Sequence, residues 1–241
     1  MENTQQSGGM IPPQLTSFDI ANWLFKEHLS GIPKEWHEKK FSQLTGELWE
    51  KTKPILLEWD FETPRICTLL GGVGIGKTHA AFCLFKKFIK NWYDNKAEDN
   101  LNVYNAINGI TTDYVRTEYF KPKTKSITEG MLLAEIRNSY DKKGEETEKE
   151  ILEKYSNYDI LFIDEAFGSG ETNFSRAKIL EIINQRIEWT GKPTILTSNA
   201  TFKKIGDDID ARIASRINNH LLVNVESKQP DMRVEENGCL N

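Results

Sequence analysis

The stretch Gly71-Gly72-Val73-Gly74-Ile75-Gly76-Lys77-Thr78 decides how the rest of this chain is read, because it spells a complete GxxxxGKT phosphate-binding loop. The run before it, Arg65-Ile66-Cys67-Thr68-Leu69-Leu70, is rich in β-formers and stops at a glycine, as a strand does. After it, Ala80, Ala81, Leu84, Phe85, Phe88 and Ile89 recur at helical spacing, which predicts a helix to about Trp92 with one buried face. Strand, glycine-rich turn and helix N-terminus together make an anion site. Glycines at 71, 72, 74 and 76 let N–H groups turn inward where a Cβ would obstruct, and the helix aims its positive end at the anion. Lys77 then reaches the β- and γ-phosphates, and Thr78 places its hydroxyl on Mg²⁺. The eight residues from Gly71 to Thr78, including Val73 and Ile75, are read as a nucleoside-triphosphate site.

Two downstream segments supply what such a site needs for hydrolysis. Ile160-Leu161-Phe162-Ile163 is a continuous apolar run ending in Asp164-Glu165, the pattern of a central parallel strand with carboxylates at its C-terminal end. One carboxylate organises the Mg²⁺ shell and the other acts as base or orients water near the γ-phosphate. Leu196-Thr197-Ser198-Asn199 closes the next strand, Pro193 to Thr197, at the edge where α/β sheets bind ligands. Asn199 there is either a holder of the attacking water or, with Ser198, a helix N-cap. Arg212 and Arg216, four apart in Asp210 to Ile217, share a helix face. They are either a surface pair or donors aimed at the nucleotide site of a neighbouring copy.

Residues 1–16, with Gln, Ser, Gly-Gly and Pro-Pro, read as a disordered leader. Residues 17–60 read as a helical segment: Phe18, Ala21, Phe25 and Leu29 mark one helix, and Ser42 to Trp59 a second that Pro54 kinks or divides. Residues 61–226 hold the core and 227–241 a polar tail. Within the core, Asp113 to Phe120 reads as the second strand, Ile127 to Tyr140 as a helix, the charged Asp141 to Lys149 as an exposed loop before a short helix ending near Tyr155, Asn173 to Trp189 as a helix stopped by Gly191, and His220 to Val225 as the last strand. Strands separated by helices predict an α/β three-layer fold with a parallel sheet of five strands.

Composition narrows the function classes. With 38% hydrophobic and 28% charged residues, the chain matches a water-soluble globular protein, and no apolar run approaches the roughly 20 residues of a membrane span. Met1 to Gln14 lacks the apolar region of a signal peptide, so a cytoplasmic, membrane-free location is expected. Cys67, Cys83 and Cys239 are isolated, and the four histidines are scattered, which leaves no legible zinc site or disulfide framework. A net charge of −5 argues against a positively coated nucleic-acid binder. The densest basic run, Lys121-Pro122-Lys123-Thr124-Lys125, reads as a solvated loop or as a DNA contact.

In this order GGVGIGKTHAA, ILFIDE, ILTSN and ARIASRI resemble the AAA+ ATPases of the DnaC/DnaI and IstB group, bacterial and phage replicative-helicase loaders and their transposon-encoded relatives. Ser30-Gly31-Ile32-Pro33-Lys34 with Phe41, and Leu132 to Tyr140, are similar to segments flanking those motifs, so the resemblance spans about Gly31 to Arg233. It implies ATP as the nucleotide. Lys77 and Thr78 would be the Walker A pair, Asp164 would hold Mg²⁺ through water, Glu165 would activate the hydrolytic water, Asn199 would be sensor 1, and Arg216, supported or replaced by Arg212, the finger donated in trans. It further implies an ATP-hydrolysing, self-associating loader that delivers a replicative helicase onto single-stranded DNA, with Lys121, Lys123 and Lys125 as candidate DNA contacts. The alternative roles are target-DNA selection beside a transposase, and a P-loop small-molecule kinase. Three departures stand out: a long interval between Lys77 and Asp164, which implies an insertion between about 91 and 126, no cysteine-rich N-terminal domain, and no C-terminal helical lid. Asp231-Met232-Arg233 resembles an Asp-aromatic-Arg motif with Met in the aromatic position, which leaves a sensing role for Arg233 open.

Overall fold

In the computed structural model, which describes residues 15–63, 65–109, 120–141, 146–168 and 173–225, each of the first four strands of the sheet is followed by a helical return. The elements are α1 (Ser17–Leu29), α2 (Glu47–Glu58), β1 (Ile66–Gly71), α3 (Lys77–Asn95), α4 (Ala97–Gly109), β2 (Thr124–Thr128), α5 (Glu129–Asp141), α6 (Glu148–Asn157), β3 (Ile160–Asp164), α7 (Asn173–Asn184), β4 (Thr194–Ser198), α8 (Phe202–Lys204), α9 (Ala211–Asn218) and β5 (Leu221–Val225). Helix α7 runs on as a π-helical turn (Gln185–Thr190), and α8 does so over Ile205–Ile209. Five strands lie in the order β2-β3-β4-β1-β5, with every neighbouring pair parallel. The expected five-stranded parallel sheet is therefore present.

Alternation along the strands builds two cores. Cys67, Leu69, Ile160, Phe162, Ile195 and Val223 face a layer formed by α1, α2 and α3. Ile66, Leu70, Leu161, Ile163 and Leu196 face the other layer, with Ile136, Leu152, Ile183 and Ile213. A strand buried on both faces must be apolar at every position, which is why Ile160 to Ile163 form an unbroken run. Helix α1 starts at a capping box, in which Thr16 Oγ1 accepts from Asp19 N–H and the Asp19 carboxylate accepts from Thr16 N–H. Helix α7 and its π turn stop at Gly191, whose left-handed φ of 60° suits a residue without a side chain.

Several boundaries differ from expectation. Strand β2 takes Thr124–Thr128, so Lys125 lies on an edge strand and not in a loop, and α5 starts at Glu129 where a helix from Ile127 was expected. The Lys-Ser-Ile alternation there is short and polar, too weak a signal to separate from the helix beyond it. Pro54 sits inside α2 without dividing it, because Trp49, Thr52 and Leu56 bury one continuous face on both sides of it and packing outweighs one lost backbone bond. Helix α4 occupies part of the 91–126 interval and packs Ala97, Leu101 and Tyr104 on the first core. The expected strand Asp113 to Phe120, except for Phe120 itself, which is not in a strand, the leader through residue 14, the polar tail, Arg233 and the question of a lid fall outside the described residues.

Candidate nucleotide-binding site

The loop after β1 has the backbone that its sequence requires at two positions. Gly74 and Gly76 have φ of 77° and 90°, left-handed values that cost an L-residue about 1–2 kcal/mol. A Cβ built on Gly72 meets no protein atom within 4 Å, so the protein's own packing does not demand a glycine at that position. Lys77, the first residue of α3, is 7% exposed. Its ammonium donates to Gly71 O at 2.9 Å, to Gly72 O at 2.5 Å and to Asn199 Oδ1 at 2.8 Å.

Asp164 and Asn199 reach the loop because β3 and β4 end beside it. The Thr78 hydroxyl donates to the Asp164 carboxylate, 3.0 and 3.2 Å from its two oxygens. Thr197 Oγ1 donates to Asp164 Oδ1 and accepts from Glu165 N–H at 3.1 Å, while Ala166 N–H donates to Thr197 O at 2.7 Å. One threonine thus orients both carboxylate-bearing residues. Glu165 and Phe167 have φ of 57° and 64°, strained for non-glycine residues and of the kind that gathers at functional sites. The turn so formed leaves the Glu165 side chain exposed at the rim of the cleft. Buried Glu129 accepts from Gly168 N–H at 3.2 Å and ties down the same turn.

The other wall comes from a segment that the motifs did not point to. Trp36 and Lys39 line a 340 Å³ cleft together with Val73, Lys77, Thr78, Asp164, Glu165 and Asn199. Trp36 stacks on Phe82 of α3 with ring centroids 4.5 Å apart and planes inclined at 13°. Lys86 of α3 donates to the carbonyls of Trp36, His37 and Lys39 at 2.7, 2.9 and 2.5 Å, and His79 Nε2 lies 2.9 Å from Lys40 O. Burial lowers the pKa of the Lys86 ammonium. A half-buried aromatic in an otherwise polar run was the available signal, and it becomes meaningful only once α3 brings Phe82 and Lys86 underneath it.

Arg212 and Arg216 do not line this cleft. Arg212 is 74% exposed and pairs with Asp210, the N-cap of its own helix, at 2.7 Å. Arg216 pairs with Glu188 at 2.7 Å, beside the N-terminal ends of β4 and β5, whereas the cleft sits at the C-terminal ends. Nor are the basic residues one unpaired patch: Lys121 lies 3.6 Å from Glu27 and Lys125 4.0 Å from Glu135. Lys121 and Lys123 precede β2 and so also sit at the end of the sheet opposite the cleft.

Several solved structures are similar in fold. One is a DnaC helicase loader, with a TM-score of 0.55 and 16% identity over 80% of this chain and 100% of that one. A second is DnaI, with a TM-score of 0.52 and 17% identity over 84% and 94%. A third is AMPPCP-bound DnaA from Aquifex aeolicus, with a TM-score of 0.54 and 17% identity over 83% and 55%. The fold is one shared with the solved structures of DnaA, DnaC and DnaI. The chain spans about half the length of several of the replication initiators it matches. No protein-family model matches the sequence, and no curated protein does.

Proposed function

We propose that this chain is an ATPase that binds ATP and Mg²⁺ in the cleft, hydrolyses the nucleotide between subunits, and delivers a replicative helicase onto single-stranded DNA in the cytoplasm. The observation that carries the reading is the convergence of Lys77, Thr78, Asp164, Glu165 and Asn199 on one cleft from three strand ends. The Thr78 hydroxyl and Asp164 carboxylate are hard oxygen donors side by side, a set that suits Mg²⁺, which takes one or two protein oxygens and fills its shell with water and phosphate. When bound, the ion neutralises charge on the phosphates. Lys77 exchanges its Asn199 Oδ1 acceptor for phosphate oxygen, which frees Asn199 to hold water, and Glu165 at the exposed rim takes the proton of the attacking water. Arg216, which does not line its own cleft, is the group offered to the next subunit. The loader role draws on the DnaC structure, which is that of a helicase loader, and the DNA role on DnaA bound to AMPPCP and single-stranded DNA.

Glu165→Gln is expected to bind ATP and lose hydrolysis, whereas Lys77→Ala is expected to lose binding itself, read by a fluorescent nucleotide titration and phosphate release. Wild-type hydrolysis by Glu165→Gln would remove the base assignment. For DNA, replacing Lys121, Lys123 and Lys125 by Ala is expected to reduce the salt dependence of single-strand binding by about two units if all three contact phosphate; an unchanged slope would remove the cluster from the interface.

A further inference from the structure

Helix α2 carries a tryptophan, Trp49, whose side chain is fully buried and whose indole Nε1–H donates to Ile75 O at 2.8 Å. Ile75 is the residue of the phosphate loop between Gly74 and Gly76, the two glycines with left-handed backbone. A loop that turns its N–H groups toward an anion turns carbonyls the other way, and a carbonyl facing the protein interior needs a donor. Trp49 supplies that donor. Indole N–H has no acceptor capacity, and among large apolar residues only tryptophan combines this volume with an N–H.

The surroundings make the contact rigid. Trp49 and Ile75 belong to one buried cluster with Leu44, Leu56 and Phe82, so the indole cannot follow the loop if the loop moves. Glycines flanking Ile75 leave the loop many alternative conformations. If the donor is removed, the Ile75 carbonyl is orphaned in the core, and the backbone turns to satisfy it elsewhere. Every conformer that does not receive phosphate then lowers the apparent affinity by the fraction of molecules it occupies.

We infer that Trp49 is a positioning residue for the nucleotide: its indole N–H holds the phosphate loop in the receptive conformation and ties that conformation to α2. The inference rests on the reading of the cleft as a nucleotide site.

The test uses the full chain with Trp49→Phe, and with Trp49 replaced by β-(3-benzothienyl)alanine, in which a ring sulfur takes the place of the N–H at nearly the same volume. Mant-ADP affinity, ATPase kcat and KM, and Tm are measured for each. The benzothienyl variant is expected to melt near the wild-type temperature, to bind mant-ADP roughly tenfold more weakly, as a receptive fraction near one tenth requires, and to raise KM with kcat nearly preserved. Wild-type mant-ADP affinity in that variant would overturn the inference and leave Trp49 as a core residue, whatever its Tm. If Trp49→Phe fails to fold, the benzothienyl variant decides alone. Failure of the wild-type chain to bind mant-ADP would overturn the nucleotide reading itself and this inference with it, a result distinct from equal binding by wild type and variant.

Discussion

Arg186 is completely buried, yet its hydrogen bonds among the described residues all go to uncharged oxygens. Its guanidinium donates to the carbonyls of Tyr155, Ser156 and Tyr158 at 3.0, 3.0 and 2.9 Å, to Pro193 O at 2.5 Å and to Thr194 Oγ1 at 2.7 Å. These acceptors are the end of α6 and the entry to β4, so one fork of donors closes the seam from which the Asn199 strand starts. Burial brings the arginine's pKa down to about 9, which still leaves it protonated at neutral pH. Arg186→Ala removes a donor from five acceptors, of which Ser156 O keeps the Thr190 hydroxyl and Pro193 O keeps Leu161 N–H, and is expected to cost about 3 kcal/mol in urea unfolding. Arg186→Lys is expected to recover little, because an ammonium has three donors and no planar fork. A loss under about 1 kcal/mol in Arg186→Ala would mean that water replaces the fork at little cost.

Helix α1, at the N-terminal end of the described chain, is fastened to the sheet by His28. One ring nitrogen lies 3.0 Å from Tyr93 Oη of α3 and the other 2.8 Å from Thr124 Oγ1 of β2. Burial, reinforced by Lys121 and opposed by Glu27, lowers the pKa of His28; burial and Arg216 do the same for His220. With the folded pKa below the ordinary value near 6.5, the unfolded chain binds the proton more readily. The contribution to stability is therefore complete above about pH 6.5 and is lost as pH falls toward the lowered folded values. Tm is expected to fall between pH 7.5 and pH 5.5, and His28→Gln is expected to show a smaller fall. Equal falls in the two proteins would assign the effect to other groups.

Across the molecule, the cleft lies at the C-terminal ends of the strands, and neither Arg212 nor Arg216 lines it. A face carrying arginines that meets a face carrying a phosphate site makes a head-to-tail contact, which builds rings or filaments and not closed twofold dimers. In the single chain Arg216 is neutralised by Glu188, and the neighbouring Trp189 is 85% exposed, a large apolar surface on that same face. Arg216→Ala is expected to bind nucleotide and hydrolyse it poorly, since fingers elsewhere contribute on the order of 10³ to 10⁵ in rate. Mixed with Lys77→Ala, which keeps its arginine and loses its site, it is expected to recover activity, because some interfaces then pair an intact site with an intact arginine. Activity that only adds on mixing would exclude action in trans and favour a self-contained P-loop enzyme.

What could be read without coordinates was whatever is local or periodic. The GxxxxGKT loop is contiguous because backbone N–H groups of successive residues must face one anion, and the apolar run before Asp164 is unbroken because that strand is covered on both faces. Those two signals put Lys77, Thr78, Asp164 and Glu165 at the strand ends that border the cleft, and Asn199 followed from the end of the next strand. Hydrogen bonds between residues distant in sequence leave no such trace. Thr197 bridging Asp164 and Glu165, Trp36 held over the cleft by Phe82 and Lys86, and Trp49 beneath Ile75 depend on which strands and helices become neighbours. The short polar strand β2 could not be told from loop and helix, since its pairing with β3 and not its own pattern makes it a strand. Ion pairing at Lys121, Lys125 and Arg216 likewise belongs to the folded chain: a charge's sign is written in its residue type, but its partner is chosen by the surface on which folding leaves it.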